Sequence, residues 1–240
     1  MRPAITLCAW ASLGLLASAT PVMAEMSACQ SVQGVKDPRE RIADYTVCIK
    51  RGGNGASMTG VVYAMRGLAY GQLGDLDAAL KDYSSAIELN PEIDAVYALR
   101  GEIYANRGDW LKAQTDFDGA IAHRHEHHNL SVFLDHKAWL FATWQDASMR
   151  DGAQAVALAL KAAKLANDSS VHDVLAAAYA EAGQFDSAVR EESDAINRIQ
   201  HEKERKDLPG FEARLSLYRS GIPYRADVPF PRMSENSDAN

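Results

Sequence analysis

Two stretches of the chain repeat each other at a spacing of 34 residues: VYAMRGLAYGQLGDLDAALKDYSSAIELNPE from Val62 and VYALRGEIYANRGDWLKAQTDFDGAIAHRHE from Val96. Tyr63 falls on Tyr97, Arg66-Gly67 on Arg100-Gly101, Tyr70 on Tyr104 and Gly74-Asp75 on Gly108-Asp109. Further along, Ala79 falls on Ala113, Tyr83 on Phe117 and Ala86-Ile87 on Ala120-Ile121. A fixed period of this length marks a chain made of stacked supersecondary units, each of which buries its apolar face only against a neighbour. It therefore limits the fold before any other motif is weighed.

Within each unit, apolar and small residues recur every three or four positions, the period of a buried helix face, and a Gly-Asp pair interrupts the pattern midway. The glycine suits the left-handed conformation that ends one helix, and the aspartate suits the cap of the next. Each unit thus reads as two antiparallel helices. Gly67 and Ala79 have minimal side chains and let the pair approach closely, with Tyr70 and Tyr83 as bulk around the crossing. Arg66 and Arg100 each precede an aspartate by 16 residues, Asp82 and Asp116, which predicts two ion pairs across the hairpins. Pairs of this kind at a surface contribute under about 1 kcal/mol.

The order of aromatic, glycine, tyrosine, alanine, aromatic and proline resembles the tetratricopeptide repeat. Tyr63, Gly67, Tyr70, Ala79, Tyr83 and Pro91 carry the resemblance in one unit, and Tyr97, Gly101, Tyr104, Ala113 and Phe117 carry it in the next. The chain departs from the pattern with Arg66 and Arg100 in place of leucine, and with His125 where the second proline would stand. A weaker copy starts at His172 and matches through Leu175, Ala176, Tyr179, Gly183 and Ala188, but has Glu192 where an aromatic belongs. Between them, LDHKAWLFATWQDASMRDGAQAVALALKAAKLAND fits one more hairpin with a longer turn. The resemblance implies an all-α, right-handed solenoid of four hairpins over 60–93, 94–128, 129–168 and 169–205. Residues 25–59 add an N-terminal helix, capped by Asp37 with Pro38 in its first turn, and a glycine-rich linker. Residues 206–230 add a capping helix ending near Gly221, and 231–240 form an expected disordered tail.

Residues 1–24 stand apart: Arg2, an apolar run too short to span a bilayer comfortably, and small residues at Val22 and Ala24. This is the pattern of a secretory signal cleaved after Ala24, which implies a periplasmic or secreted protein with no stable membrane insertion once the signal is gone. Its removal leaves Cys29 and Cys48, an even number in an exported chain. That points to a Cys29–Cys48 disulfide, the alternative being two small buried thiols in a helix hairpin. The net charge of −7 argues against nucleic acid as a partner.

Four of the seven histidines lie in HRHEHHN: His123, His125, His127 and His128. Clustered imidazoles are potential transition-metal ligands, and an exported metal-binding protein is the alternative reading of the chain. The register, however, places them at the junction after a second helix, where imidazoles interact favourably with exposed carbonyls, and no CxxC or HExxH accompanies them. The sequence contains no GxSxG and no paired nucleophile and base, so neither an enzyme nor a cofactor is expected. The resemblance implies a partner-binding groove lined by the first helices. Transferred by register, it falls on Leu68, Gln72, Glu102, Asn106, Asp135, Trp139, Asp173 and Glu181. Four of these are acidic and none is basic, so the expected ligand is a basic or amine-bearing segment of another protein. Trp139 is either its aromatic anchor or part of the packing of the long hairpin.

Overall fold

The structure, a computed structural model, describes residues 37–52, 55–123, 129–201, 207–227 and 229–230. The expected signal segment, Cys29, His125, His127, His128 and the tail from 231 lie outside the described residues. Among the described residues the chain forms ten α-helices and no strand. They are α1 (Pro38–Arg51), α2 (Ala56–Gln72), α3 (Leu76–Leu89), α4 (Asp94–Asn106), α5 (Trp110–Ala122), α6 (Leu130–Thr143), α7 (Gly152–Ala163), α8 (Ser169–Glu181), α9 (Phe185–His201) and α10 (Leu208–Arg219). A single 3₁₀ turn, Ala147–Met149, sits in the long connection between α6 and α7.

The Gly-Asp pairs make the turns. Gly74 has a φ of 77°, and the amides of Gly74 and Asp75 donate to the carbonyls of Gly71 and Tyr70, which closes α2. The Asp75 side chain then accepts the Ala78 amide and opens α3. Gly108-Asp109 repeats this between α4 and α5. Asp37, Asp151 and Asp168 cap α1, α7 and α8 in the same manner. The first two hairpins then close over a glycine: a Cβ on Gly67 would lie 2.7 Å from the Tyr83 ring, and one on Gly101 would lie 3.0 Å from the Phe117 ring. Tyr83 and Phe117 are fully buried.

Consecutive helices pack against each other along the chain. The first helices also touch across repeats: Leu68 of α2 packs with Ala95 and Ala98 of α4, and α6 packs on both α4 and α8. The result is a two-layered α-solenoid with α2, α4, α6 and α8 in one layer. Both expected ion pairs form, and both are bidentate. Arg66 donates from Nε and Nη2 to Asp82 at 2.7 and 2.8 Å, and Arg100 to Asp116 at 2.9 and 2.7 Å. They are not surface pairs, because the carboxylates are only 3% and 4% exposed. The surface magnitude therefore does not apply to them.

α10 covers the end of the stack, with Phe211 and Leu215 against Ala195, Ile196 and Ile199 of α9. It ends at Arg219, and the left-handed Gly221, whose φ is 71°, and Pro223 follow. From there the chain does not leave the molecule. It runs back along the first-helix layer as far as α4.

Candidate functional site

The described residues between 222 and 230 lie across the layer where the family resemblance puts a groove, without helix or strand of their own. The Ala226 amide donates to the Thr143 carbonyl at 3.1 Å, and Gln145 Nε2 donates to the Ala226 carbonyl at 3.0 Å. Trp139 Nε1 donates to the Pro229 carbonyl at 2.9 Å, and the Phe230 amide donates to Asn106 Oδ1 at 2.8 Å. The Phe230 ring meets Phe117 and His136 edge-on at 5.6 and 5.1 Å, and the Tyr224 ring lies 5.8 Å from Trp139. Arg225 Nη2 is 2.6 Å from Glu181 Oε2, while Arg150 Nε donates to the other Glu181 oxygen at 2.8 Å. The long α6–α7 connection thus has a use: Gln145 and Arg150 both come from it.

Beneath this segment is a buried charge cluster. Arg214 of α10 donates from Nε to Asp173 Oδ1 at 2.6 Å, and the same nitrogen is 3.4 Å from Glu192 Oε1. The three side chains are at most 1% exposed. The guanidinium also lies over the rings of Phe211, Trp139 and Tyr224 at 4.6, 5.8 and 5.6 Å. Burial pushes both carboxyls up, Glu192 well above its ordinary value, and Arg214 pulls them back down. Two carboxylates facing one guanidinium leave a surplus negative charge, so they share a proton more readily than exposed groups do. Asp135 on α6 is also buried and raised well above its ordinary value, by burial and by the nearby charges of Asp168 and Asp173.

Residues 61–93 match the family model of the tetratricopeptide repeat. The chain carries such a repeat and folds as these repeats do. A thermophilic TPR protein of Thermus thermophilus is similar in structure at a TM-score of 0.54 and 13% identity, over 87% of this chain and 99% of that one. A tetratricopeptide repeat protein from Parabacteroides merdae aligns at a TM-score of 0.38 and 15% identity, over 91% of this chain and 87% of that one. No curated protein matches the sequence.

In the tetratricopeptide register the eight expected groove residues share one layer, yet none of them is exposed. Leu68 packs between repeats, and Gln72 accepts a hydrogen bond from Arg41 of α1. Glu102 turns inward, 3.5 Å from His136 Nδ1. Asn106, Trp139 and Glu181 hold the C-terminal segment, and Asp173 holds Arg214. The residues at this layer that sequence reasoning missed are Arg214 of α10 and Tyr224, Arg225 and Phe230 of the segment that covers it. The available signal was Glu192: an acid at an aromatic core position needs a cation, and α10 supplies one.

Of the histidine cluster, His123 is described. Its ring stacks on Tyr97 at 5.2 Å, and its Nδ1 is 3.8 Å from Glu92. His136 is buried against Phe117 and Phe230, and burial lowers its pKa to about 4 despite the carboxylate of Glu102 beside it. Among the described residues, His172, Glu191 and Asp194 lie close enough to share a cation. Both nitrogens of His172 are already engaged, by Glu191 at 2.7 Å and Asn167 at 2.8 Å.

Proposed function

We propose that this is an exported, non-catalytic interaction module that holds a segment of another envelope or secreted protein on its first-helix layer. Tetratricopeptide-repeat folds serve as scaffolds for protein–protein interaction, and the described residues include no helix long and apolar enough to cross a membrane. The observation that carries the reading is how this layer treats a peptide. Two side chains, from Trp139 and Asn106, hydrogen-bond the backbone of a segment without regular structure, and the acid Glu181 takes its arginine. That is the chemistry expected for a basic partner segment. Export rests on the character of residues 1–24, and the proposed Cys29–Cys48 bond would tie the N-terminal residues to α1, where Cys48 is buried.

The test is site-specific photocrosslinking in cells. One crosslinking residue replaces exposed Gln145 at the rim of the layer, and another replaces exposed Leu111 on α5 as control. One exported protein trapped from position 145 and not from 111 is the expected result. Equal trapping from both positions, or none from either, would refute the binding face. Appearance of the chain in the cytoplasmic fraction would refute export.

A further inference from the structure

We infer that residues 222–230 are a tethered stand-in for the partner, so that the chain's own C-terminal segment states the chemistry of the ligand: an irregular stretch with an adjacent aromatic and arginine, followed by a second aromatic five residues after the arginine. The inference rests on the proposed binding reading and adds the identity of the ligand class and the competition that regulates it.

The segment is buried in part, with Ala226 and Phe230 only 1% and 3% exposed in the main apolar cluster, but its backbone is bonded as a docked peptide's would be. The anchors span three repeats: Asn106 ends the first helix of the second, Trp139 and Thr143 belong to the third and Glu181 to the fourth. Among its described residues no helix or sheet of the segment's own satisfies the backbone. The Ala226 and Phe230 amides and the Ala226 and Pro229 carbonyls are all met by groove groups. Charge is complementary where Arg225 faces Glu181, whose other oxygen accepts from Arg150, in a layer that also contributes Glu102, Asp135 and Asp173. The point of attachment is narrow: an exposed left-handed glycine, Gly221, follows the end of α10, so the segment can lift away without unwinding the cap.

A tethered segment competes at an effective concentration on the order of millimolar, so a free peptide reaches only the open fraction of molecules. The probe is a fluorescein-labelled peptide of sequence IPYRADVPF, residues 222–230. Its binding to the full-length protein is compared with binding to an Arg225→Glu, Phe230→Ala variant, and a charge-reversed probe carrying glutamate for Arg225 is the control. Releasing the segment is expected to tighten probe binding about tenfold or more, and the charge-reversed probe is expected to bind neither protein. The wild-type protein supplies a second measurement in case the variant does not fold. Saturating probe should speed hydrogen exchange at the Ala226 and Phe230 amides while leaving α3 and α5 unchanged.

Equal probe binding by variant and wild type, equal binding of the reversed probe, or no exchange response at saturation would each overturn the inference and mark the segment as a fixed part of the fold. A dimer of the wild type held by exchanged segments would also overturn it, assigning the layer to a second copy. The two readings fail separately. A probe that binds while crosslinking traps nothing removes the adaptor role alone, and a protein trapped at position 145 without probe binding removes the tethered ligand alone.

Discussion

Replacing Arg214 by methionine tests whether the C-terminal end of the stack is held by charge compensation or by packing. Arg214 is 1% exposed and is the cation facing Asp173 and Glu192, both 0% exposed. Removing one partner of a buried pair strands the other and costs about 3–5 kcal/mol. For a chain of this size each kcal/mol lowers the melting temperature by roughly 2–4 °C, so a drop on the order of 6–20 °C is expected near neutral pH. The sign with pH is fixed by the carboxyls. Their folded pKa values are raised, so the folded state holds more protons than the unfolded one, and stability is lost as pH rises above the ordinary values of 3.8 and 4.5. Without Arg214 the values rise further, and the variant should therefore recover much of its loss at pH ~5. The assay is urea unfolding at two pH values, beside a triple variant with Asp173→Val and Glu192→Met added. An apolar replacement of similar volume strands no charge and is expected to lie within about 2 kcal/mol of wild type. A triple variant as unstable as the single one, with no pH dependence, would show that the cost lies in lost contacts with Phe211, Trp139 and Tyr224.

Further predictions concern other parts of the stack. Gly152→Ala should destabilise by about 1–3 kcal/mol, because the new Cβ would lie 2.7–2.9 Å from the backbone at Glu181 and Ala182, which cannot yield. Gly119→Ala should stay within about 1 kcal/mol of wild type in the same thermal melt, since its clash at 2.6 Å is with the half-buried Tyr97 ring, which can swing aside, and alanine favours the helix. A double-mutant cycle on Arg100 and Asp116 should return a coupling of about 1–3 kcal/mol, against under about 0.5 kcal/mol for the exposed Arg107–Asp77 pair. Similar coupling in the two pairs would refute the role assigned to burial. The His136 imidazole should be neutral at pH 6 by nitrogen chemical shift and titrate near 4. Its folded pKa is depressed, so its share of stability is present above pH 6.5 and lost as pH falls toward 4; His136→Phe should flatten that slope.

The repeat made the stack legible because the same physical demands recur every 34 residues: a left-handed glycine, an aspartate cap and a small residue under an aromatic. Arg66 and Arg100 could be paired with Asp82 and Asp116 because both members lie within one hairpin, where sequence separation fixes distance. The C-terminal segment is different. Phe230 meets Asn106 across 124 residues, and no local period encodes that contact. Pro223 and Gly221 end a helix, but nothing in their spacing says where the chain goes next. The expected tail and Cys29, one member of the expected cysteine pair, lie outside the described residues.

Two departures from the family pattern, which look like weak matches when taken alone, both bear on how the C-terminal residues are held. Glu192 replaces a core aromatic, and the α6–α7 turn is longer than a repeat requires. The first brings Arg214, and with it α10, down onto α8 and α9. The second supplies Gln145 and Arg150, the latter holding Glu181 in place for Arg225. The acidic surplus of the first-helix layer is thus met by arginines from the chain's own end: Arg214 from within a helix, and Arg225 from an irregular segment that is also held by the buried Ala226 and Phe230. Retention of Arg225 by a half-buried carboxylate at the rim is what a site requires if its occupant is to be exchanged.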